Sequence, residues 1–175
     1  MKILTTKRLR LRPLAMADAT ALFAVLGDPV AMAFWDRAHY PRVGTVEAML
    51  ADELAAMESG TCVYWAVLRD DAVIGSIDLS QVAQGQAWTG FLFRSDVWGL
   101  GFAREALDAV IEDAFGRLGL QRLEARIQIG NSRAARLLEK CGFQRIGALP
   151  DVVRDGVARP CVRYRRDRSI AANGR

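Results

Sequence analysis

The 175-residue chain is poor in the residues that build metal centres and disulfide frameworks. It contains one histidine, His39, and three cysteines that are widely spaced and form no CxxC pair. A multi-histidine metal site, a zinc site and a disulfide framework are therefore not indicated, and we expect no metal. The sequence also lacks an apolar run long enough to span a bilayer and an apolar N-terminal signal stretch. These absences predict a cytoplasmic protein without a membrane contact.

A uniform excess of basic residues is also missing, although the net charge is +4. Residues 1–12 hold five Lys or Arg, and residues 159–175 hold six Arg, which leaves 13 basic and 19 acidic residues between them. The basic character therefore lies at the two ends, and nucleic acid is at most an accessory partner. Residues 94–145 are mildly positive, which suits an anionic cofactor, whereas residues 13–93 are acidic and suit a cationic partner.

The most regular pattern in the chain is a helix that follows a glycine-rich turn. Apolar residues recur with a helical period from Ala103 to Leu118, and Gly119 follows the last of them. The turn before the helix contains Gly99 and Gly101. A helix N-terminus offers unpaired N–H groups and the positive end of the macrodipole, and glycines allow a close approach of the main chain. The pattern therefore predicts a phosphate-binding turn.

The other periodicities predict a single α/β domain over residues 1–168 and a disordered tail over 169–175. The predicted strands cover residues 3–12, 62–68, 73–79, 86–94, 122–129 and 143–149, with a last hairpin arm after Asp155-Gly156; further helices cover 18–27, 46–59 and 132–140. Residues 30–45 have no firm period and form an aromatic loop with polar members.

This order of elements resembles the GNAT superfamily of acyl-CoA N-acyltransferases over nearly the whole chain. Residues 4–13, with Asp18, are similar to the opening of the Rim-type branch, which acetylates the N-termini of ribosomal proteins. Residues 98–106 are similar to its pyrophosphate loop, and Asn131 with residues 136–143 is similar to its second coenzyme motif. The resemblance implies an α/β (α+β) GNAT fold. Its sheet would be mixed and mostly antiparallel, with about seven strands, one splayed parallel pair and about four flanking helices.

The resemblance also implies that acetyl-CoA lies between the splayed strands 86–94 and 122–129, where unpaired backbone groups bond the pantetheine arm. Asn131 is then expected near the thioester, or as the N-cap of the short helix, or in both roles. Arg104 and Arg136 either reach the coenzyme phosphates or remain solvated. The coenzyme-binding residues implied in this way are Phe93, Arg94, Trp98, Gly99, Leu100, Gly101, Phe102, Ala103, Arg104, Asn131 and Arg136.

Three positions depart from the pattern of the family. Leu138 stands where many members have a tyrosine that protonates the leaving thiolate, and Rim-type relatives share this absence. Ala134 replaces a usual serine, and Trp88 replaces a frequent glutamate. We therefore expect direct attack of an amine on the thioester without a tyrosine general acid. The same departures keep open a second hypothesis, a non-catalytic module of this fold that binds or senses acyl-CoA.

The acceptor side offers few candidate residues. Asp78 is the main candidate base and forms, with Asn131, the predicted catalytic pair, whereas Trp35, Asp36 and His39 are expected to contact the acceptor, the last two also as alternative bases. At pH 7 the neutral-to-charged ratio is about 1:6 for an α-amine and about 1:2,500 for a lysine. This difference favours a protein or peptide N-terminal α-amine, or a small amine, as acceptor. The oligomeric state stays open, with a homodimer as one candidate.

Overall fold

A computed structural model describes residues 2–169, whose strands form one eight-stranded sheet. The strands are β1 (Leu4–Thr5), β2 (Arg10–Pro13), β3 (Val63–Arg69), β4 (Ala72–Ala83), β5 (Gln86–Phe93), β6 (Arg122–Gln128), β7 (Gln144–Arg154) and β8 (Val157–Asp167). The helices are α1 (Ala19–Leu26), α2 (Val43–Glu58), α3 (Phe102–Phe115) and α4 (Ser132–Lys140). Across the sheet the strand order is β1-β2-β3-β4-β5-β6-β8-β7.

Every neighbouring pair in the sheet is antiparallel except β5 and β6. Their parallel ladder contains only three pairs and ends at Trp88 and Glu124, although β5 runs on to Phe93 and β6 to Gln128. Beyond that ladder the two strands diverge and leave backbone groups unpaired along both inner edges. The mixed sheet, the splayed parallel pair and the four helices confirm the predicted fold class.

The first predicted strand is wrong in one respect, because residues 3–12 form two short strands instead of one. The backbone N–H of Thr6 donates to the carbonyl of Leu9 at 2.9 Å, and β1 folds back on β2 with Leu4 opposite Leu11. Apolar and polar residues alternate on both sides of this turn, so the periodicity does not reveal it. The sheet therefore has eight strands.

The long helix ends earlier than its apolar period predicts. α3 stops at Phe115, and the N–H of Leu118 donates instead to the carbonyl of Asp113 at 3.0 Å. Leu118 still packs against the core, which explains why the apolar spacing continues past the helix. Gly119 has a φ of 69°, the left-handed conformation that its position predicted. The expected tail, residues 169–175, lies outside the described residues apart from Ser169.

Two hydrophobic clusters hold the helices on opposite faces of the sheet. The larger one joins α3 and α4 to apolar side chains from most of the strands, β6 and β8 included. The smaller one joins α1 and α2 to β3, β4 and β5 through Ala66, Leu68, Val73 and Leu92. Strand residues from β6 do not enter this second cluster within residues 2–169. Part of the second face is therefore left to border a cavity.

Candidate active site

A cavity of about 1100 Å³ opens at the point where β5 and β6 diverge. It is bordered by β4, β5 and β6, by the first turns of α3 and α4, and by the loop between α1 and α2. The inner edges of the diverging strands carry backbone donors and acceptors that the sheet does not satisfy. An extended amide-containing ligand can pair with such edges as a strand would.

The glycine-rich turn contains two residues with a left-handed backbone. Gly99 and Gly101 have φ values of 80° and 83°, which side chains with a Cβ rarely adopt. Gly101 is the N-cap of α3 and provides no side chain to satisfy the first N–H groups of the helix, which remain available to an anion. The indole N–H of Trp98 donates to the carbonyl of Phe93 at 3.0 Å and anchors the turn to the end of β5.

A brace from the N-terminal hairpin supports this turn, and sequence reasoning missed it. The carboxylate of Glu105, in the first turn of α3, accepts hydrogen bonds from the Thr6 hydroxyl at 2.6 Å and from Arg8 Nε at 2.7 Å. Arg8 also donates to the carbonyl of Leu100 at 3.0 Å and lies over the ring of Phe102. Burial raises the pKa of Glu105, but the bonds from Thr6 and Arg8 outweigh it and leave the pKa below its ordinary value. The only sequence signal was the motif that contains Thr6 and Arg8.

Cationic side chains line the α3–α4 side of the cavity. Arg104 is exposed and lies 3.5 Å from Asp108, and Arg136 donates to Ser132 at 3.4 Å. Arg133 and Lys140 join them in the lining, and Arg133 lies 3.9 Å from the ring centre of Trp98. These last two were not predicted, although the spacing 133, 136, 140 places them on one side of α4.

Two predicted coenzyme contacts lie outside this lining and stay predictions. Arg94 forms a bidentate pair with Asp96 through bonds of 3.0 and 2.6 Å, and Leu100 is 52% exposed. The predicted residues that line the cavity are Phe93, Trp98, Gly99, Gly101, Phe102, Ala103, Arg104, Asn131 and Arg136.

Asn131 caps α4 and borders the cavity at the same time. Its side-chain oxygen accepts the N–H of Ala134 at 3.2 Å, which satisfies one of the unpaired donors of the helix. The capping role weighed from the sequence is therefore present in the structure. A contact of Asn131 with the thioester stays a prediction.

In the register of the sheet, Asp78 on β4 lies directly opposite Tyr64 on β3 and Gly90 on β5. Its Oδ1 is 2.5 Å from the place where a Cβ at Gly90 would sit, so only glycine leaves room for the carboxylate. Desolvation, aided by the charge of Glu53 and opposed mainly by Ser80, raises the pKa of Asp78 from 3.8 to about 7. The same surroundings, burial first and the charge of Asp78 second, raise the pKa of Tyr64 and keep its hydroxyl protonated.

The aromatic loop forms the opposite wall and is fixed by distant residues. Trp35 and Asp36 line the cavity, whereas His39 is exposed and lies outside the lining. Gln128 donates to the carbonyl of Trp35 at 3.1 Å, and Arg154 Nη1 donates to the carbonyls of Met32, Trp35 and Arg37 at 3.0, 3.2 and 3.3 Å. The roles of Trp35, Asp36 and His39 in acceptor binding stay predictions.

Within residues 2–169 we find no cluster of three or more His, Cys, Asp or Glu side chains arranged to hold a metal ion. In the same part of the chain no helix has the length and the apolar character needed to cross a membrane.

The splayed parallel pair, the glycine turn at a helix N-terminus and the cationic wall all border the same cavity. A family model described as "Acetyltransferase (GNAT) domain" matches residues 8–144, and the chain belongs to this family. It is an acyltransferase of the acetyl-CoA-dependent kind, as the resemblance implied.

Relatives support this assignment at the level of sequence and of fold. The chain is 30% identical over 155 residues to the uncharacterized N-acetyltransferase p20 of Bacillus licheniformis, covering 86% of this chain and 87% of that protein. The spermidine N-acetyltransferase of Vibrio cholerae, solved with CoA and spermine, shares the fold with a TM-score of 0.81 at 20% identity, over 93% of this chain and 96% of that one.

A Rim-type enzyme is equally similar in fold. The ribosomal-protein-S5-alanine acetyltransferase of Vibrio fischeri gives a TM-score of 0.82 at 16% identity, over 95% of this chain and 97% of that one. The predicted likeness to the Rim-type branch is thereby confirmed as a likeness of fold.

Proposed function

We propose that this acyltransferase moves the acetyl group of acetyl-CoA to a primary amine, either a protein or peptide N-terminal α-amine or a small amine. The observation that carries the proposal is Asp78. Its carboxylate has a pKa of about 7 and lines the same cavity as the glycine turn of α3. A general base is most useful when its pKa lies near the working pH.

For the coenzyme, the N–H groups at the start of α3 would bind the pyrophosphate, and the free edge of β5 near Phe93 would bond the pantetheine arm. Arg104 and Arg136 would meet the phosphates from the cationic wall, joined by Arg133. The fit rests on the left-handed glycines, the uncapped helix N-terminus and the unpaired strand edge. Arg94, which is paired with Asp96, and Leu100 would be peripheral members of this set, because both lie outside the cavity lining.

For the reaction, the amine attacks the thioester carbon, an N–C bond forms and the C–S bond breaks. Asp78 takes the proton of the amine directly or through one water molecule. Leu138 is fully buried and apolar, so the thiolate leaves without a tyrosine acid and takes its proton from solvent. Asn131 lies at the start of α4, on the side of the cavity where we expect the thioester, and Trp35, Asp36 and His39 belong to the loop that would hold the acceptor.

The proposal is tested by thiol release from acetyl-CoA in the presence of peptides, amino acids, polyamines and amine antibiotics, with acetyl-CoA binding measured by calorimetry. Asp78→Asn should lower kcat at least 100-fold and change the acetyl-CoA Kd less than twofold, because the amide cannot accept the proton. Asp71→Asn, on the exposed β3–β4 turn, is the matched control.

The outcomes separate the two hypotheses. Acceptor-dependent release that is lost in Asp78→Asn supports the transferase. Binding of acetyl-CoA without a response to any acceptor would favour the acyl-CoA-sensing module. Absence of binding would refute the role assigned to the turn at Gly99 and Gly101.

A further inference from the structure

Residues on neighbouring strands β4, β5 and β6 line one side of the cavity, with an acidic residue on β4 and a basic residue on β6. Asp78 on β4 lies opposite Gly90 on β5. Gly90 lies two residues beyond Trp88, and Arg126 lies two residues beyond Glu124, the last pair of the parallel ladder. Residues two apart in a strand share a face. Asp78, Gly90 and Arg126 therefore lie on one face of the sheet, on either side of the gap between the diverging strands.

Arg126 is an exposed cation in the lining of the cavity. Within residues 2–169 it takes part in no ion pair, and its recorded contact is with the ring of Trp88, 6.0 Å from the guanidinium carbon. The other cations of the lining lie elsewhere: four belong to α3 and α4, and Arg37 lies 3.7 Å from Asp36. Arg126 is thus the cation that faces the acceptor side with its charge unpaired.

A second arginine makes this region strongly positive. Arg163 on β8 lies directly opposite Arg126 and 5.6 Å from the same Trp88 ring. Like charges placed directly opposite each other in a sheet destabilise it. Glu124 compensates only in part, since Arg163 is 3.6 Å from its carboxylate and shares it with Arg165. A bound anion would relieve the remaining repulsion.

Resting on the proposed function, we propose that the acceptor carries a carboxylate close to its amine, and that Arg126 binds this carboxylate while the amine lies at Asp78. A guanidinium binds a carboxylate through two parallel hydrogen bonds, which also fixes the orientation of the acceptor. Trp88 adds to the argument, because its apolar ring lies 6.0 Å from the guanidinium carbon of Arg126 and offers no carboxylate that would compete with the acceptor.

The dimensions suit an amine and a carboxylate separated by a few atoms. Neighbouring strands lie about 4.8 Å apart, so two spacings place the backbones at Asp78 and Arg126 at least about 10 Å apart. The short side chain of Asp78 and the long one of Arg126 fill part of that distance from either side. Free amino acids and peptides with an acidic residue near their N-terminus both fit. A polyamine would place a second positive charge against Arg126 and be disfavoured.

The test compares acceptors with and without the carboxylate, and kcat/KM is expressed per neutral amine, because removing the carboxylate also lowers the pKa of the amine. Thiol release from acetyl-CoA is measured for glycine against glycinamide, for a C-terminally amidated Ser-Glu peptide against its Ser-Gln counterpart, and for 1,4-diaminobutane. We expect kcat/KM to be at least tenfold higher for the carboxylate member of one pair, and the responding pair tells free amino acids from acidic peptides. The diamine should be the poorest acceptor.

The variant Arg126→Gln should raise KM for the carboxylate acceptors tenfold or more and so remove this preference. KM for the amide acceptors and the Kd for acetyl-CoA should each change less than twofold. Arg122→Gln is the matched control, because Arg122 lies on the same strand and face but pairs with Asp167 at 2.7 Å, outside the cavity lining. Equal use of both members of each pair, a better diamine, or an equal loss for acids and amides in Arg126→Gln would overturn the inference while leaving the transferase intact. Absence of turnover with every amine would overturn both.

Discussion

At the scale of single residues, the position of Asp78 raises the pKa of its carboxyl group and thereby also lowers the stability of the fold at high pH. The carboxylate packs against the Cα of Gly90 and lies opposite a tyrosine instead of a cation, so its negative charge is poorly compensated. A carboxylate whose pKa is raised in the folded state stabilises the fold at low pH. That contribution is complete below its ordinary pKa of 3.8 and is lost as the pH rises through about 7.

This loss of stability with rising pH predicts how the stability of Asp78→Asn compares with that of the wild type. The variant should be more stable than the wild type at pH 8, where the partly buried charge of Asp78 is removed, and the difference should vanish below about pH 4. Thermal melts across this pH range measure it. In parallel, the slope of log kcat/KM against pH should fall by one unit near pH 7 in the wild type and show no such break in Asp78→Asn. A variant less stable at pH 8 than at pH 4, relative to wild type, would contradict the raised pKa.

At the scale of elements, the start of α3 depends on the hairpin of β1 and β2. Glu105 binds both Thr6 and Arg8, and Arg8 continues to the carbonyl of Leu100 inside the glycine turn. Because Arg8 is 43% exposed, its ion pair with Glu105 contributes about 0.2–1 kcal/mol, as exposed pairs typically do. The first segment of the chain therefore positions the turn that we expect to bind pyrophosphate.

Glu105→Gln separates this positioning role from simple electrostatics. Loss of a negative charge near a phosphate site would by itself tighten acetyl-CoA binding, whereas loss of the brace should weaken it about five- to tenfold. Calorimetry on Glu105→Gln measures whether the affinity for acetyl-CoA rises or falls. Glu112→Gln, on the exposed side of α3, is the control. Tighter binding, or an equal change in the control, would refute the brace.

The contrast between helices and loops shows what the sequence predicts and why. The helices α3 and α4 and the left-handed conformation of Gly119 follow from local chemistry and were predicted. The left-handed φ values of Gly99 and Gly101 were not predicted. Contacts between distant segments were not predicted, because no local sequence pattern encodes them. The pairing of Glu105 with Arg8, 97 residues away, is one such contact.

At the scale of the whole molecule, the wall that we propose for the acceptor is assembled from distant parts of the chain. Arg154, near the end of β7, binds three carbonyls of the aromatic loop, 117 to 122 residues away. No motif in either segment predicted this contact. Together with Arg159 on β8, which donates to the carbonyl of Ala33 at 3.3 Å, this side chain joins the loop after α1 to the β7–β8 hairpin.

We predict that Arg154→Gln loosens the acceptor wall without affecting the coenzyme side. The partly buried carbonyls of Met32 and Trp35 and the exposed carbonyl of Arg37 would each lose a donor, so kcat/KM for the acceptor should fall about tenfold while the acetyl-CoA Kd stays within twofold. Arg145→Gln, an exposed arginine on the same strand, is the control and should behave as wild type in both measurements. If acetyl-CoA affinity fell as far as acceptor efficiency, Arg154 would instead support the cavity as a whole, and the division of the site into two independently held walls would be wrong.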